Sequence, residues 1–294
     1  MLIYEAPTIT DYSPGDCIIN RQKCSANLNI VAIAALFVLS FFLAPATCAK
    51  VDKATIDRFV FLDYQRSGKK NLLARSKYSE ALRAHETGQN ERAIKLFNEV
   101  LALDPQCKEA MYTLGSVYMY EEQYAKALET YSRALKIDPV FKHALYRRAF
   151  AYASMYRYKD TVSDLTKLLS MEPGYEGARA LRIKCQVELG NLPAAIDDST
   201  ELLRVHPMST EDRLQRARLY VKDKQPLMAI KDFSFLLKHF PDESDAYVER
   251  ADQYFALGRY KEAVADYNAA LSGDTDNFKH CREQIALCLK KQGK

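Results

Sequence analysis

The chain has 294 residues, a formal net charge of +4, seven cysteines and five histidines. Basic and acidic residues are interspersed, which argues against the basic stripe of a nucleic-acid-binding surface. The ten glycines form no phosphate-binding loop, and no G-x-S-x-G nucleophile motif occurs. Cysteines and histidines show no metal-ligand spacing. We therefore expect a protein that is not an enzyme, has no cofactor or metal, and binds neither nucleic acid nor a small-molecule substrate.

Residues 1–49 have the layout of a secretory signal. Basic residues precede an apolar stretch from Ile30 to Ala44, and small residues follow it as candidate cleavage sites. The leader before this stretch is long for a signal, and residues 28–46 nearly reach the ~20 residues of a membrane span. Two interpretations stay open. A cleaved signal places the mature protein in the secretory pathway, in the periplasm or outside the cell, whereas an uncleaved segment tethers it as a single-pass membrane protein.

Two predicted helices flank the central part of the chain. Residues 51–73 predict a lead-in helix and a linker, because Ile56, Phe59 and Val60 share one helical face. Residues 278–294 predict a closing helix with one apolar stripe and a charged remainder. A polar outer face on the last element is what an open-ended stack of repeats requires.

A period of 34 residues runs through residues 74–277. Five of the ten prolines follow it: Pro105, Pro139, Pro173, Pro207 and Pro241. The position twelve residues before each proline, and its equivalent in the last unit, is alanine in five of six cases. Small and aromatic residues recur with the same spacing. A fixed period of this length is the signature of a stacked-repeat architecture.

Each period predicts a helical hairpin. The units are 74–107, 108–141, 142–175, 176–209, 210–243 and 244–277. Apolar residues recur at three- and four-residue steps in both halves of each unit, which indicates two amphipathic helices. Gly88, Gly190 and Gly258 fall at the turn between them, where a left-handed backbone suits glycine. The repeat proline stops the second helix because it lacks an N–H group. One hairpin cannot bury its apolar side alone, so neighbouring hairpins must stack.

This framework resembles the tetratricopeptide repeat family. That family has a small residue at position 8 of the repeat, Tyr at 11, Ala at 20, an aromatic at 24 and Pro at 32. Residues 108–141 match it best, with Gly115, Tyr118, Ala127, Tyr131 and Pro139. The fourth repeat departs most, and we expect looser packing there. The resemblance implies an all-α fold, a right-handed superhelical stack of helical hairpins, that binds other proteins and catalyses no reaction.

The resemblance also implies a binding surface, because the first helices of the repeats line a concave groove in this family. The corresponding residues in repeats 1–3 are Tyr78, Leu82, Tyr112, Met119, Tyr120, Tyr146, Arg147 and Phe150. Those in repeats 4 and 5 are Lys184, Arg218 and Lys222, and repeat 6 offers the acidic Asp245, Glu249 and Asp252. Tyrosine and arginine are favoured anchors at interfaces, so this set suits an extended peptide.

The alternative for the tyrosines is packing between repeats. If they line the groove, Tyr112, Tyr146 and Phe150 should be partly exposed, while Tyr118 and Tyr152 should be buried. Partial exposure of Tyr112, Tyr146 and Phe150 favours peptide binding by repeats 2 and 3. Burial of these residues assigns the tyrosines to the core.

Two narrower functions known in this family require particular residues, and the sequence can be checked for them. Some family members clamp the C-terminal carboxylate of a chaperone with Lys, Asn and Arg at set positions, of which only Arg147 is present here, so a clamp is not expected. Repeats 3–5 also resemble those of lumenal co-chaperones, with Tyr146-Arg147-Arg148-Ala149. The sequence therefore predicts a protein-protein interaction scaffold, with a client-binding chaperone accessory of the secretory pathway or periplasm as the alternative.

Overall fold

The computed structural model describes residues 72–273 and 277–293, and these residues contain thirteen α-helices and no strand. The predicted leader (1–49) and the lead-in segment up to residue 71 lie outside the described residues. The helices are α1 (Leu72–Glu86), α2 (Asn90–Leu103), α3 (Lys108–Tyr120), α4 (Tyr124–Ile137), α5 (Lys142–Ser154), α6 (Tyr158–Met171), α7 (Glu176–Glu188), α8 (Leu192–Val205), α9 (Thr210–Lys222), α10 (Pro226–His239), α11 (Ser244–Ala256), α12 (Tyr260–Ser272) and α13 (Phe278–Lys291). None of these helices is long and apolar enough to cross a membrane.

The first twelve helices form six successive hairpins, which confirms the prediction for the repeats. Each of the five repeat prolines follows the end of a second helix, as the missing N–H group requires. The predicted closing helix is α13. Each hairpin packs on the next one, so that the apolar side of every hairpin is covered by its neighbours.

The turn inside every hairpin has one residue in the left-handed region, at intervals of 34. Glycine occupies it in repeats 1, 4 and 6, as predicted, with φ between 73° and 75°. In the other three repeats the residue is Glu122, Tyr156 or Lys224, with φ of 56°, 58° and 56°. A side chain is disfavoured in this conformation. The turn therefore keeps its geometry because the two packed helices impose it.

Small residues allow the helices of a hairpin to approach closely. The alanines at position 20 of the repeats, Ala93, Ala127, Ala195, Ala229 and Ala263, are fully buried. Gly115 marks a close approach of this kind, because a Cβ atom there would lie 2.6 Å from the ring of the buried Tyr131. The core has three clusters: one extends from repeat 1 to Ala178, the second from Ile183 to Ala246, and the third begins at Val248. The core is thus divided within repeat 4, where the framework residues depart from the family pattern, and again within repeat 6.

A ladder of ion pairs connects repeats 3 to 6. Four arginines at position 7 each bind both oxygens of the aspartate at position 23 of the same repeat, with N–O distances of 2.6 to 2.8 Å. Each arginine also donates to a Ser or Thr hydroxyl of the preceding repeat. The pairs are Arg148–Asp164, Arg182–Asp198, Arg216–Asp232 and Arg250–Asp266. Planar guanidinium groups with this geometry lock each hairpin internally and to its neighbour.

Candidate peptide-binding groove

The predicted groove tyrosines of repeats 1 and 2 are core residues. Tyr78 and Tyr112 are fully buried, and Leu82 is buried as well. The hydroxyl of Tyr78 lies 2.9 Å from Oγ1 of Thr113 in the next repeat. The ring centroid of Tyr112 lies 5.6 Å from that of Phe141 at the end of repeat 2 and 6.1 Å from that of His143 in repeat 3. The prediction that Tyr112 is partly exposed is therefore wrong, because the next repeat stacks directly over position 5.

Tyr146, at the same position in repeat 3, is half-buried and packs at the junction with repeat 4. Its ring centroid lies 5.1 Å from that of Tyr175, the last residue of repeat 3. Burial raises the pKa of both phenols, that of Tyr175 to about 12. The predicted burial of Tyr118 and Tyr152 is also wrong in degree, since both are half-buried. Arg157 lies over the ring of Tyr152, with its guanidinium carbon 4.5 Å from the ring centroid.

The other predicted residues of repeats 2 and 3 stay at the surface. Phe150 is 43% exposed, Tyr120 is 68% exposed, and Met119 and Arg147 are half-buried. The ring of Tyr120 meets that of His85 edge-on, with the centroids 6.3 Å apart. These four residues remain candidates for contacts with a partner.

A groove opens between α7 and α9, where position 5 changes from tyrosine to smaller residues. Ala180 and Leu214 stand where repeats 1–3 have tyrosine. The space is a cavity of about 650 Å³. It is lined by Ala180, Ile183, Lys184, Val187, Glu188, Glu211, Asp212, Leu214, Gln215, Arg218, Leu219 and Lys222. All three cations predicted for repeats 4 and 5 therefore belong to one site.

Sequence reasoning missed the apolar floor of this groove. Ile183 and Leu219 are buried in the floor, and Val187 and Leu214 are partly buried beside them. The change from tyrosine to alanine at position 5 in repeat 4 was the available signal, because it removes a large side chain from one wall.

The charged side chains around the groove differ in whether they have an oppositely charged partner. Arg218 donates to both carboxylate oxygens of Glu249 in the next repeat, over 2.6 to 3.1 Å. Lys184 and Lys222 are exposed, and no carboxylate oxygen of the described residues lies within 4.0 Å of either ammonium group. Glu211 and Asp212 lie in the first turn of α9, where negative charge is favourable. The groove thus combines an apolar floor with two exposed lysines and two exposed glutamates, Glu188 and Glu211.

The described residues contain no group of three or more His, Cys, Asp or Glu side chains that could hold a metal ion. His280 and Tyr267 both contact Oδ1 of Asp252, which joins α13 to repeat 6. Asp252 therefore contacts the capping helix.

Stacked helical hairpins with an open groove along their first helices define a helical-repeat solenoid. The model of the tetratricopeptide repeat family matches residues 78–140, 112–155 and 214–278. The solved structures that resemble the chain include proteins of the same family. The chain is a tetratricopeptide repeat protein, and its thirteen described helices fit about six repeats.

Three solved structures illustrate the likeness. A tetratricopeptide repeat protein from Parabacteroides merdae is 21% identical, with a TM-score of 0.53 over 74% of this chain and 91% of its own. YrrB, described as a tetratricopeptide repeat protein with an unusual peptide-binding site, is 17% identical, with a TM-score of 0.53 over 66% of this chain and 97% of its own. The Naa15/Naa10 complex bound to HypK-THB gives 14% identity and a TM-score of 0.61, over 75% of this chain and 34% of that one. At these identities the likeness shows the fold alone. No curated protein matches the chain.

Proposed function

We propose that this protein is a non-enzymatic scaffold that holds an extended segment of another protein in the groove between α7 and α9. The groove itself is the observation that carries the proposal. Its volume of about 650 Å³ lies within the range of ligand sites, roughly 300–1,000 Å³. Tetratricopeptide repeat proteins are in general binding scaffolds, and the similar YrrB is described as having a peptide-binding site.

The chemistry of the groove suits a peptide in extended conformation. The backbone groups of α7 and α9 are satisfied within the helices, so the groove recognises a partner through side chains. The partly exposed Val187 and Leu214 offer an apolar surface for one or two apolar side chains of the segment. Charged residues at the edges favour one set of partners over another and speed their association.

Filling the groove tests the proposal directly. Ala180→Tyr restores the residue type that repeats 1–3 carry at position 5 and should occupy the space between α7 and α9. A photo-reactive amino acid at Gln215, inside the groove, would report contact with a partner in the full-length protein. We expect cross-linked products whose sequence maps to one extended segment of a partner, and we expect Ala180→Tyr to abolish them.

Ala125→Tyr provides the matched control, because Ala125 is exposed on α4, a second helix. This variant should keep the cross-link at full strength. Loss of the cross-link in both variants would point to a general defect. An unchanged cross-link in Ala180→Tyr would contradict the proposal. Cross-links to many unrelated sequences would favour the alternative function, a client-binding chaperone accessory.

For the location of the scaffold, we propose export by the leader of residues 1–49. The support is the apolar stretch from Ile30 to Ala44 and the small residues after it. N-terminal sequencing of native protein should find a mature chain that begins between Thr47 and Lys50. An intact Met1 on a membrane-bound product would favour the membrane tether through residues 28–46.

A further inference from the structure

We infer that the concave face of repeats 1 and 2, formed by α1 and α3, is covered by the chain's own lead-in segment, residues 52–71. This part of the concave face is then closed to other partners. The inference does not depend on the groove between α7 and α9. It rests on which positions of the repeats are buried, on the residue types of the segment, and on the linker that joins the segment to α1.

The concave face of repeat 2 is buried at positions where later repeats are accessible. Glu109, Thr113 and Ser116, at positions 2, 6 and 9 of the repeat, are 5%, 0% and 1% exposed. In repeats 3–6, whose residues at these positions are all described, none of the equivalent residues is buried. The stacking of hairpins by itself therefore leaves positions 2, 6 and 9 accessible.

Side-chain size does not account for this difference, because matched residue types can be compared. Glu109 and Glu211 both lie at position 2, yet Glu109 is buried and Glu211 is exposed. Position 9 holds a large apolar side chain in repeats 1 and 3, where Leu82 is 8% exposed and Phe150 is 43% exposed. An additional element that covers repeats 1 and 2 explains both differences.

The residue types of the lead-in segment suit this surface. Tyr78 and Leu82 give the concave face of repeat 1 an apolar surface. The segment has Ile56, Phe59 and Val60 at three- and four-residue steps, which predicts an amphipathic helix with one apolar face. Amphipathic helices bind in apolar grooves through side chains with this spacing. The segment therefore matches the chemistry of the surface that is buried.

The linker is long enough for the segment to turn back over the repeats. Residues 67–71, Ser-Gly-Lys-Lys-Asn, join the predicted helix to the start of α1 at Leu72. Five extended residues span ~17 Å, which exceeds the ~10 Å that separates the axes of packed helices. So short a linker gives the segment a local concentration on the order of millimolar. A separate protein must therefore displace the segment to reach repeats 1 and 2.

Thiol labelling of the full-length chain would test the inference. Ser116→Cys, in a variant whose native cysteines are replaced by alanine, places a single thiol on the covered surface, and we expect it to react slowly. Phe59→Asp with Val60→Asp removes the apolar face of the segment. This change should accelerate labelling at least about tenfold, the factor that corresponds to the loss of one buried apolar side chain.

The matched control adds the same charges to the opposite side of the predicted helix, with Arg58→Asp and Gln65→Asp. This double variant should label as slowly as the parent protein. Circular dichroism and urea unfolding would verify that the repeats stay folded in both double variants, so that faster labelling reports the segment and not the stability of the stack.

Photo-cross-linking identifies the covering residues without any change to the cysteines. A photo-reactive amino acid at Phe59 should form cross-links to α1 or α3 of the same chain. The same amino acid at Arg58 should not. A mixture of isotope-labelled and unlabelled protein separates cross-links within one chain from those between two chains.

Each contrary outcome overturns the inference. Fast labelling of Ser116→Cys in the parent protein, or slow labelling that persists after Phe59→Asp with Val60→Asp, would show that the repeats bury these positions by themselves. Cross-links between labelled and unlabelled chains would assign the surface to a second copy of the protein. If the cysteine-free variant does not fold, the cross-links decide, and products from Phe59 that lie outside α1 and α3 would contradict the inference, as would the absence of any product.

Discussion

Asp198 is one of two aspartates of the ion-pair ladder, with Asp232, that bind two arginines each, and substitutions at these two positions should have the largest effects. The carboxylate of Asp198 binds two guanidinium groups, those of Arg182 at 2.6 and 2.7 Å and of Arg179 at 3.1 Å. Only 5% of the Asp198 side chain is exposed, and 12% and 16% of those of Arg179 and Arg182. Asp198→Asn keeps the shape of the side chain and removes the charge, so that both guanidinium groups lose their carboxylate.

The size of the effect follows from these contacts. Removing one partner of a buried ion pair costs about 3–5 kcal/mol because an uncompensated charge stays buried. Both arginines keep a second acceptor, the carbonyl oxygen of Pro173 for Arg179 and the hydroxyl of Thr166 for Arg182. We therefore expect the lower end of the range, a decrease of about 3 kcal/mol in the free energy of unfolding.

Two further substitutions calibrate this value. Asp164→Asn removes the carboxylate from a single arginine, Arg148, whose side chain is 21% exposed, and should cost about 2 kcal/mol. Asp197→Asn changes the exposed neighbour of Asp198 and should stay within about 0.5 kcal/mol of the original protein.

Urea unfolding would measure the three variants, with amide hydrogen exchange in α7 and α8 as a local readout. The local readout matters because a repeat array can open in parts. We expect faster exchange in repeat 4 of the Asp198→Asn variant than in repeat 1. Equal stability of the Asp198→Asn and Asp197→Asn variants would refute the argument that the ladder stabilises the stack.

Three further predictions concern the hairpins and the thiols. Gly115→Ala should lower the free energy of unfolding by about 1–3 kcal/mol, since its Cβ would meet the ring of Tyr131 at 2.6 Å; Gly174→Ala, with open space around it, is the control for the same urea titration. Tyr156→Gly should stabilise the protein by about 0.5 kcal/mol, because relief of the left-handed strain exceeds the entropy that glycine adds to the unfolded chain; a lower urea midpoint would contradict this. Cys185 should react slowly with a thiol reagent until urea unfolds repeat 4, because burial raises the pKa of its thiol; fast reaction in a native variant that keeps Cys185 as its single cysteine would show that the site is open.

Local signals in the sequence were sufficient to predict the hairpins. The prolines from Pro105 to Pro241 mark the ends of second helices, and the alanines twelve residues earlier mark the closest contacts between helices. Both signals act within one hairpin, so their meaning does not depend on how the hairpins stack. Gly88, Gly190 and Gly258 predicted three of the six turns for the same reason. The other three turns could not be inferred from residue type, because packing imposes the left-handed conformation on Glu122 and on its two counterparts.

Only the stacking of the repeats decided which side chains are available to a partner. Tyr112 and Ala180 both lie at position 5 of a first helix, and periodicity treats them alike. The superhelical arrangement places Phe141 against Tyr112, whereas the small side chain of Ala180 leaves a groove beside Lys184. The arginines and aspartates of the ladder, from Arg148 to Asp266, recur in the sequence every 34 residues. The sequence does not show that each arginine binds the aspartate 16 residues later, because that ion pair forms only when the two helices of a hairpin pack together.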